Sequence, residues 1–396
     1  MQIETRVSQK TDGPEALEDL LSGVDHTSLA SVVCYYTSDY SPLQIQKYLT
    51  QRLPNVATIG CSTCGALLTE RGIHQGPVIG LLLIYDEGLS AYGTGLINFD
   101  SQQPIDIAAI KALESAIEQA DRVGELPSFI MLHATPGSEE SIIDAIDGRL
   151  HTAIPIIGGS AADAEIEGNW SVFSELGVSS NGMALMVFYP SDKISTGFSG
   201  GFSPTEFSGT VTKASGRELI EIDHLPAERV YREWISDHAG VDVPEEFVFE
   251  LVTQYPIGRI AGEFTKQQQY YKLSHPIRKS NNNGLHLFTN INEGDEITLM
   301  SGNREQLISR PARVLAEAHR DNPLGMNKLG AVCIICAGPM RLLGDDLQTT
   351  YEQIAKIMGK VPFICPFTFG EQGRFIGGEN GHGNLMVTTA IFHSTH

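Results

Sequence analysis

At 396 residues, 41% hydrophobic and 19% charged, the chain has an ordinary globular composition and room for two or three domains. Its net charge of −21 argues against a nucleic-acid partner, because phosphate binding needs a basic face and none is visible. The longest apolar stretch, Val78–Tyr85, is strand-sized and interrupted by Gly80, so no membrane span is expected.

The N-terminus, Met1-Gln2-Ile3-Glu4-Thr5, has no basic segment leading into an apolar one. Six cysteines, mostly inside apolar strand patterns, read as reduced thiols, and a cytoplasmic location is expected. The first clear elements are a strand at Val32–Tyr36, a helix from Pro42 to about Leu53 and a strand at Val56–Gly60. A glycine-rich turn follows, Ile59-Gly60-Cys61-Ser62-Thr63-Cys64-Gly65, then a polar loop and the strand Val78–Ile84. Ile110, Leu113, Ile117 and Ala120 share one face of a helix over Ile105–Ala120.

The pattern then repeats. A strand at Phe129–His133 precedes a helix opening at Gly137-Ser138-Glu139-Glu140, with acids in its first turn. The second turn is Ile157-Gly158-Gly159-Ser160-Ala161, followed by the strand Met183–Phe188. Thr37 to Gly60 and Thr135 to Gly158 are both 23 residues apart, so the two copies hold register.

A different region intervenes. Phe207–Lys213 and Glu218–Ile222, split by Ser215-Gly216, read as a hairpin. A helix starts at Pro226 and runs through Trp234, Gln254–Met300 is β-rich, and Arg304–His319 is helical. The third copy follows: strand Ala331–Cys336, helix Leu347–Met358, strand Pro362–Phe367, turn Phe367-Thr368-Phe369-Gly370-Glu371 and strand Leu385–Phe392. Tyr351, Ile354, Ala355 and Met358 give that helix its core stripe. The expected class is α+β (mixed α/β). Repeated strand–helix–strand–Gly turn–strand units form mixed sheets flanked by helices, in two lobes divided near residues 210–225.

Glycine at a strand end lets backbone approach a ligand or another strand closely, so three such turns are expected to rim shared pockets. Cys61-x-x-Cys64 and Cys333-x-x-Cys336 resemble halves of a zinc site, but residues three apart on a strand point to opposite faces, which disfavours it. No nucleophile elbow, Walker loop, G-x-G-x-x-G or H-E-x-x-H is present, which favours binding over catalysis. His133, expected to match Tyr35 and Cys336 at the pocket mouth, and His382 are ligand candidates, with His74 in the corresponding first loop. Arg278, Arg341 and Arg374 are candidates for carboxylate or phosphate capture.

Ile59-Gly60-Cys61-Ser62, Ile157–Asp163, Val211-Thr212-Lys213-Ala214 leading to Ile222-Asp223, and Pro226-Ala227…Tyr231 together resemble the FIST N domain. Tyr255-Pro256-Ile257-Gly258, Arg278, Gly294, Cys336-Ala337-Gly338, Phe369-Gly370-Glu371, Asn384 and Thr388 resemble FIST C. The resemblance implies a FIST N-like part over residues 25–221 and a FIST C-like part over 222–392.

It also implies a stand-alone sensory protein, not an enzyme. Such a protein would bind a small molecule and act in trans on a signalling partner, a histidine kinase or cyclic-di-GMP enzyme, with a homodimer as one possible state. Haem-binding nitric-oxide sensors of the NosP type are among its relatives. Haem b is therefore the cofactor it implies, with His133 and His382 as candidate iron ligands and Cys61 as a third. The ligand-binding residues expected are Cys61, Ser62, His133, Gly158, Gly159, Ser160, Arg278, Gly370, Glu371, His382 and Asn384. One alternative is an amino acid or other small carboxylate clamped by Arg278 or Arg374. Another is a Cys61- or Ser62-dependent enzyme.

Overall fold

The computed structural model describes residues 1–394 except 101, 245, 266–267, 321, 323–324, 339–343 and 376–377. Arg341 lies outside the described residues. Each copy starts one strand and one helix earlier than its sequence signal. The first comprises β1 (Gln2–Ser8), α1 (Gly13–Leu21), β2 (Leu29–Thr37), α2 (Pro42–Arg52), β3 (Ala57–Thr63), β4 (Ala66–Thr69), β5 (Gly72–Gln75) and β6 (Ile79–Tyr85). The second comprises β7 (Ala91–Asn98), α3 (Ile105–Gln119), β8 (Phe129–Ala134), α4 (Glu139–Leu150), β9 (Ile156–Gly159), β10 (Val172–Ser174), β11 (Gly177–Ser179) and β12 (Gly182–Tyr189).

The third opens with β13 (Lys193–Gly200) and is then interrupted. The insertion carries β14 (Ser203–Ser215), β15 (Glu218–Ile222), β16 (Leu225–Pro226), α5 (Ala227–Ala239), α6 (Phe249–Gln254), β17 (Ile257–Thr265), β18 (Gln268–Ser274), β19 (Pro276–Lys279), β20 (Leu285–Leu287) and β21 (Glu296–Ser301). The repeat resumes with α7 (Arg304–Arg320), β22 (Lys328–Cys336), α8 (Leu347–Met358), β23 (Phe363–Thr368), β24 (Glu371–Arg374), β25 (Asn380–Gly383) and β26 (Met386–His393). Residue 221, where the sequence reading divides the chain, falls near the end of β15 in the inserted sheet. The third repeat's sheet draws on chain from both sides of that point.

Local chemistry explains the elements. Val32–Tyr36 and Met183–Phe188 are buried on both faces of their strands, as near-continuous apolar runs require. Helix α2 begins where the Ser41 hydroxyl accepts the Gln44 N–H at 3.4 Å and Pro42 presets the first turn. Helix α5 ends on Gly240 in the left-handed region, φ 67°.

All three sheets have one plan. β2 lies parallel to β3 across the α2 crossover, with β6 antiparallel on its other side and β1 beyond that. β8, β9, β12 and β7 repeat this order, as do β22, β23, β26 and β13. Each sheet is completed by a hairpin from another repeat. β4–β5 pairs on β23, β10–β11 on β3, and β24–β25 on β9. The polar loops expected after the glycine turns are these exchanged hairpins.

Val33, Met131 and Val332 hold equivalent places on the central strands, opposite Ile59, Ile157 and Ile364. All six enter one core at the meeting of the three sheets. The helices cover the outer faces, α1 and α2 on the first sheet, α3 and α4 on the second, α7 and α8 on the third. The inserted eight-stranded sheet has its own core, where Tyr231 and Trp234 of α5 pack on Leu219, Ile297 and Leu299.

Candidate functional site

The three glycine turns converge, and they close on one another instead of rimming an open pocket. The Ala162 N–H donates to the Ser62 carbonyl at 3.0 Å, Cys64 N–H to Phe367 at 2.9 Å, and Phe369 N–H to Ser160 at 3.0 Å. Through these three bonds each repeat donates to one neighbour and accepts from the other, in a closed cycle, and Ser160 N–H to Gly370 at 2.8 Å and Ser62 N–H to Ser171 at 3.0 Å tie them further. Absent side chains make this approach possible. A Cβ on Gly158 would lie 1.7 Å from the Leu132 carbonyl oxygen, and one on Gly159 would lie 2.3 Å from Thr368 Oγ1.

This closure corrects the reading of several residues as ligand contacts. Cys61 and Ser62 are fully buried. The Ser62 hydroxyl accepts the Ser171 N–H at 3.0 Å, and burial drives the Cys61 thiol well above its usual pKa. His133 is no pocket-mouth residue either. It lies two positions beyond Met131 and so points into the same central core, its equivalents being Tyr35 and Ile334, not Cys336. Its Nδ1–H donates to the Gly159 carbonyl at 3.0 Å, and Nε2 lies 3.2 Å from the Tyr35 hydroxyl. Burial lowers its pKa to about 4, so the ring is neutral and both nitrogens are committed.

Around the third turn the repeats and the insertion build a polar cluster. Glu139 and Glu140 open α4 and are both buried. Glu139 accepts from Gly137 N–H at 2.9 Å and from the Ser160 hydroxyl at 2.7 Å. Arg217, from the β14–β15 turn, bridges Glu139 at 2.8 Å and Glu140 at 2.9 Å, and Asn290 N–H donates to Glu140 at 2.9 Å. Gln372 Nε2 reaches the Ser160 hydroxyl at 3.3 Å and His382 Nδ1 at 3.4 Å, while His382 Nε2 faces Glu139 at 3.9 Å. Burial opposes ionisation of both glutamates, but His382 and Arg217 outweigh it. Glu139 falls below the usual carboxylate range and Glu140 to about 2.

On the other side of Gly370, which adopts φ 113°, the chemistry reverses. A Cβ there would meet His382 Cε1 at 2.5 Å and Asn384 Nδ2 at 3.1 Å. Glu371 accepts from the Thr368 hydroxyl at 2.9 Å and from Met386 N–H at 3.2 Å, yet burial raises its pKa well above the usual carboxylate range. Burial, with Glu371 beside it, likewise keeps the Cys336 thiol protonated. Next to this pair lies a cavity of about 60 Å³ lined by Ile166, His275, Phe288, Cys336, Phe369 and Asn384. The Asn384 Oδ1 is buried without a hydrogen-bond partner. Ile166, half exposed over the cavity, holds φ 59°, a strained conformation for a β-branched residue.

The FIST N domain family model matches residues 30–225, and the FIST C domain model matches residues 227–374. The chain belongs to the FIST family. FIST domains are associated with small-ligand sensing in signalling. An uncharacterised protein of Methanocaldococcus jannaschii is 25% identical to this FIST chain over 296 residues, which cover 73% of the chain and 54% of that protein. The match thus spans about half the length of that relative. Among solved structures, a cyanuric acid hydrolase from A. caulinodans aligns over 100% of this chain and 99% of its own, at 9% identity and a TM-score of 0.38.

Of the FIST residues expected at the site, Gly158, Gly159, Ser160, Gly370, Glu371, His382 and Asn384 do come together. Arg278 is exposed on β19, and Arg374 Nε meets the Gly378 carbonyl at 3.5 Å; neither lines the cavity. His74, on β5, lies 3.0 Å from the Thr69 hydroxyl. Sequence reasoning missed Arg217, Gln372, His275 and Phe288. Arg217 carried one legible signal, a lone cation directly after a Ser-Gly turn. The residues present do not fit haem. Both His133 nitrogens are bonded, those of His382 face Gln372 and Glu139, and 60 Å³ is far below the ~300–1,000 Å³ of an ordinary cofactor or drug-sized site. Among the described residues no cluster of His, Cys, Asp and Glu could hold a metal ion, and no helix is long and apolar enough to cross a membrane.

Proposed function

We propose that this FIST protein is a sensory protein whose small organic ligand occupies the 60 Å³ cavity and whose output is read by a separate partner, a histidine kinase or cyclic-di-GMP enzyme. The observation that carries it is the lone Asn384 Oδ1 beside an otherwise apolar cavity. A buried acceptor without a donor costs ~1–3 kcal/mol, which a ligand N–H or O–H would recover. The cavity walls come from the third repeat (Cys336, Phe369, Asn384), the insertion (His275, Phe288) and the second repeat's long loop (Ile166). Occupancy would therefore alter how the insertion sits on the repeats, the kind of population shift a partner can read.

The nitric-oxide version with haem would require the histidine contacts to break and the core to open. A small carboxylate or amino acid is the alternative ligand; Asn384 would receive it, not Arg278 or Arg374. An enzyme using Cys61 or Ser62 is disfavoured by their burial and by the raised thiol pKa. The test is twofold. Freshly purified protein, and protein given stoichiometric haem, is scanned for a Soret band; its appearance would restore the haem version. Thermal shift against amino acids, small amides and short carboxylates should reveal a ligand adding ~2.7 kcal/mol at 100 times its Kd, and Asn384→Leu should lose the response. No stabilisation across the panel would overturn the cavity reading.

A further inference from the structure

A second cleft, of about 460 Å³, lies where the insertion joins the third repeat, between β18 and α7. Its charged lining is Arg310, Arg313, Arg320 and Glu317, with Phe202, Tyr270 and Tyr271 as aromatic wall. Three arginines against one glutamate make a cationic cleft on a chain whose 48 acidic residues outnumber its 27 lysines and arginines. Arg310 sits deepest. Its side chain is 12% exposed, its Nε is buried without a partner, and among the described residues the one carboxylate within ion-pair reach, Glu317, stands 3.6 Å from NH2. Burial weakens its hold on the charge, with Glu317 acting against that. A guanidinium this deep, with one donor unmade and one loose partner, is incompletely compensated. Gly201 brings the β13–β14 corner against α7; a Cβ there would already touch Leu307, Gln306 and Arg310 at 3.2–3.4 Å. The floor of the cleft is thus fixed, and its volume is that of a small-molecule site.

We propose that this cleft binds a small organic anion carrying a planar ring. Arg310 and Arg313 hold its carboxylate or phosphate group, and the ring lies against Phe202 and Tyr270. A guanidinium pairs bidentately with two oxygens of a carboxylate or phosphate, and aromatic walls add sequestering surface. This site is separate from the smaller cavity and does not depend on the reading given to it. Because β18 belongs to the insertion and α7 to the repeat, the anion would brace one against the other.

The experiment is calorimetric titration of the full chain with adenosine monophosphate, benzoate and inorganic phosphate. At least one ring-bearing anion is expected to saturate and to bind at least tenfold tighter than inorganic phosphate, with affinity falling as salt rises. Which of the two wins tells whether a phosphate or a carboxylate head is preferred. Arg310→Gln should weaken binding about tenfold, the loss of one charge-assisted contact. Should that variant unfold, the double variant Arg313→Ala/Arg320→Ala, at exposed positions, should weaken it severalfold. No tighter binding of either ring-bearing anion, or unchanged affinity in these variants, would overturn the proposal.

Discussion

Arg217→Met tests whether the insertion is tied to the repeats by charge. The substitution keeps the length of the aliphatic stem and removes two charge-assisted hydrogen bonds, at 2.8 and 2.9 Å, from glutamates whose side chains are 1% and 10% exposed. Stripping one partner from a buried ion pair costs ~3–5 kcal/mol. Glu139 keeps Gly137 N–H, the Ser160 hydroxyl and His382, and Glu140 keeps Asn290 N–H, so the expected loss is at the lower end, ~3 kcal/mol. Urea unfolding followed by circular dichroism at pH 7 measures it. The pH dependence separates charge from packing. Both carboxylates are depressed in the folded state, so their contribution is complete above the ordinary value of 4.5 and is lost as pH falls towards about 2. The gap between wild type and variant should therefore narrow over that window, and Arg217→Met/Glu140→Gln should recover part of the loss. A loss below ~1 kcal/mol at pH 7 would refute the reasoning, as would a gap unchanged by acid.

Gly158→Ala should cost more than ~3 kcal/mol or abolish soluble protein, because its Cβ meets a backbone carbonyl at 1.7 Å, whereas Gly148→Ala, in open space on α4, should stabilise by ~0.5–1 kcal/mol; thermal melts distinguish them. His133 and His275 are held neutral by burial, with pKa lowered from 6.5 to about 4. Their contribution is complete above 6.5 and is lost as pH falls to 4, up to ~3 kcal/mol each, measurable as a falling urea midpoint across that range. All six cysteines are buried, so a maleimide should label the native protein at least tenfold more slowly than the guanidinium-unfolded chain, counted by mass spectrometry.

Much of the repeat was legible because its central strands and covering helices carry strong apolar periodicity. Val32–Tyr36, Phe129–His133 and Ala331–Cys336 all stand where the pattern puts them. β1 went unread because its outer face is polar, with Gln2, Glu4 and Arg6 alternating against Ile3, Thr5 and Val7. The exchanged hairpins could not be read at all. Ala66–Thr69 contains nothing that names β23 as its partner; that pairing is set by the packed whole. The site divided in the same way. Glycine turns mark close approach, and Gly158, Gly159 and Gly370 do lie against other repeats or neighbouring turns, with Ser160, Glu371, His382 and Asn384 around them. His133 was placed on the wrong side because its strand-end position outweighed the period-two rule that groups it with Met131. Glu139 was correctly read as a helix-opening acid, but its burial depends on Arg217, 78 residues away.

The exchange of hairpins has a consequence for synthesis. The Phe367 N–H is bonded to the Thr63 hydroxyl across 304 residues, and β4 has no sheet to join until β23 exists. A nascent chain emerging from the ribosome must carry the Ala66–Gln75 hairpin with the outer edge of β4 open until nearly all of the chain has been made. Contacts of such separation are slow to form and leave edges open to other chains. A fragment ending before Phe363 would leave one sheet unfinished and its ribbon available to a neighbour. The chain matched by the FIST N model therefore lacks the strand, β23, on which its own β4–β5 hairpin pairs.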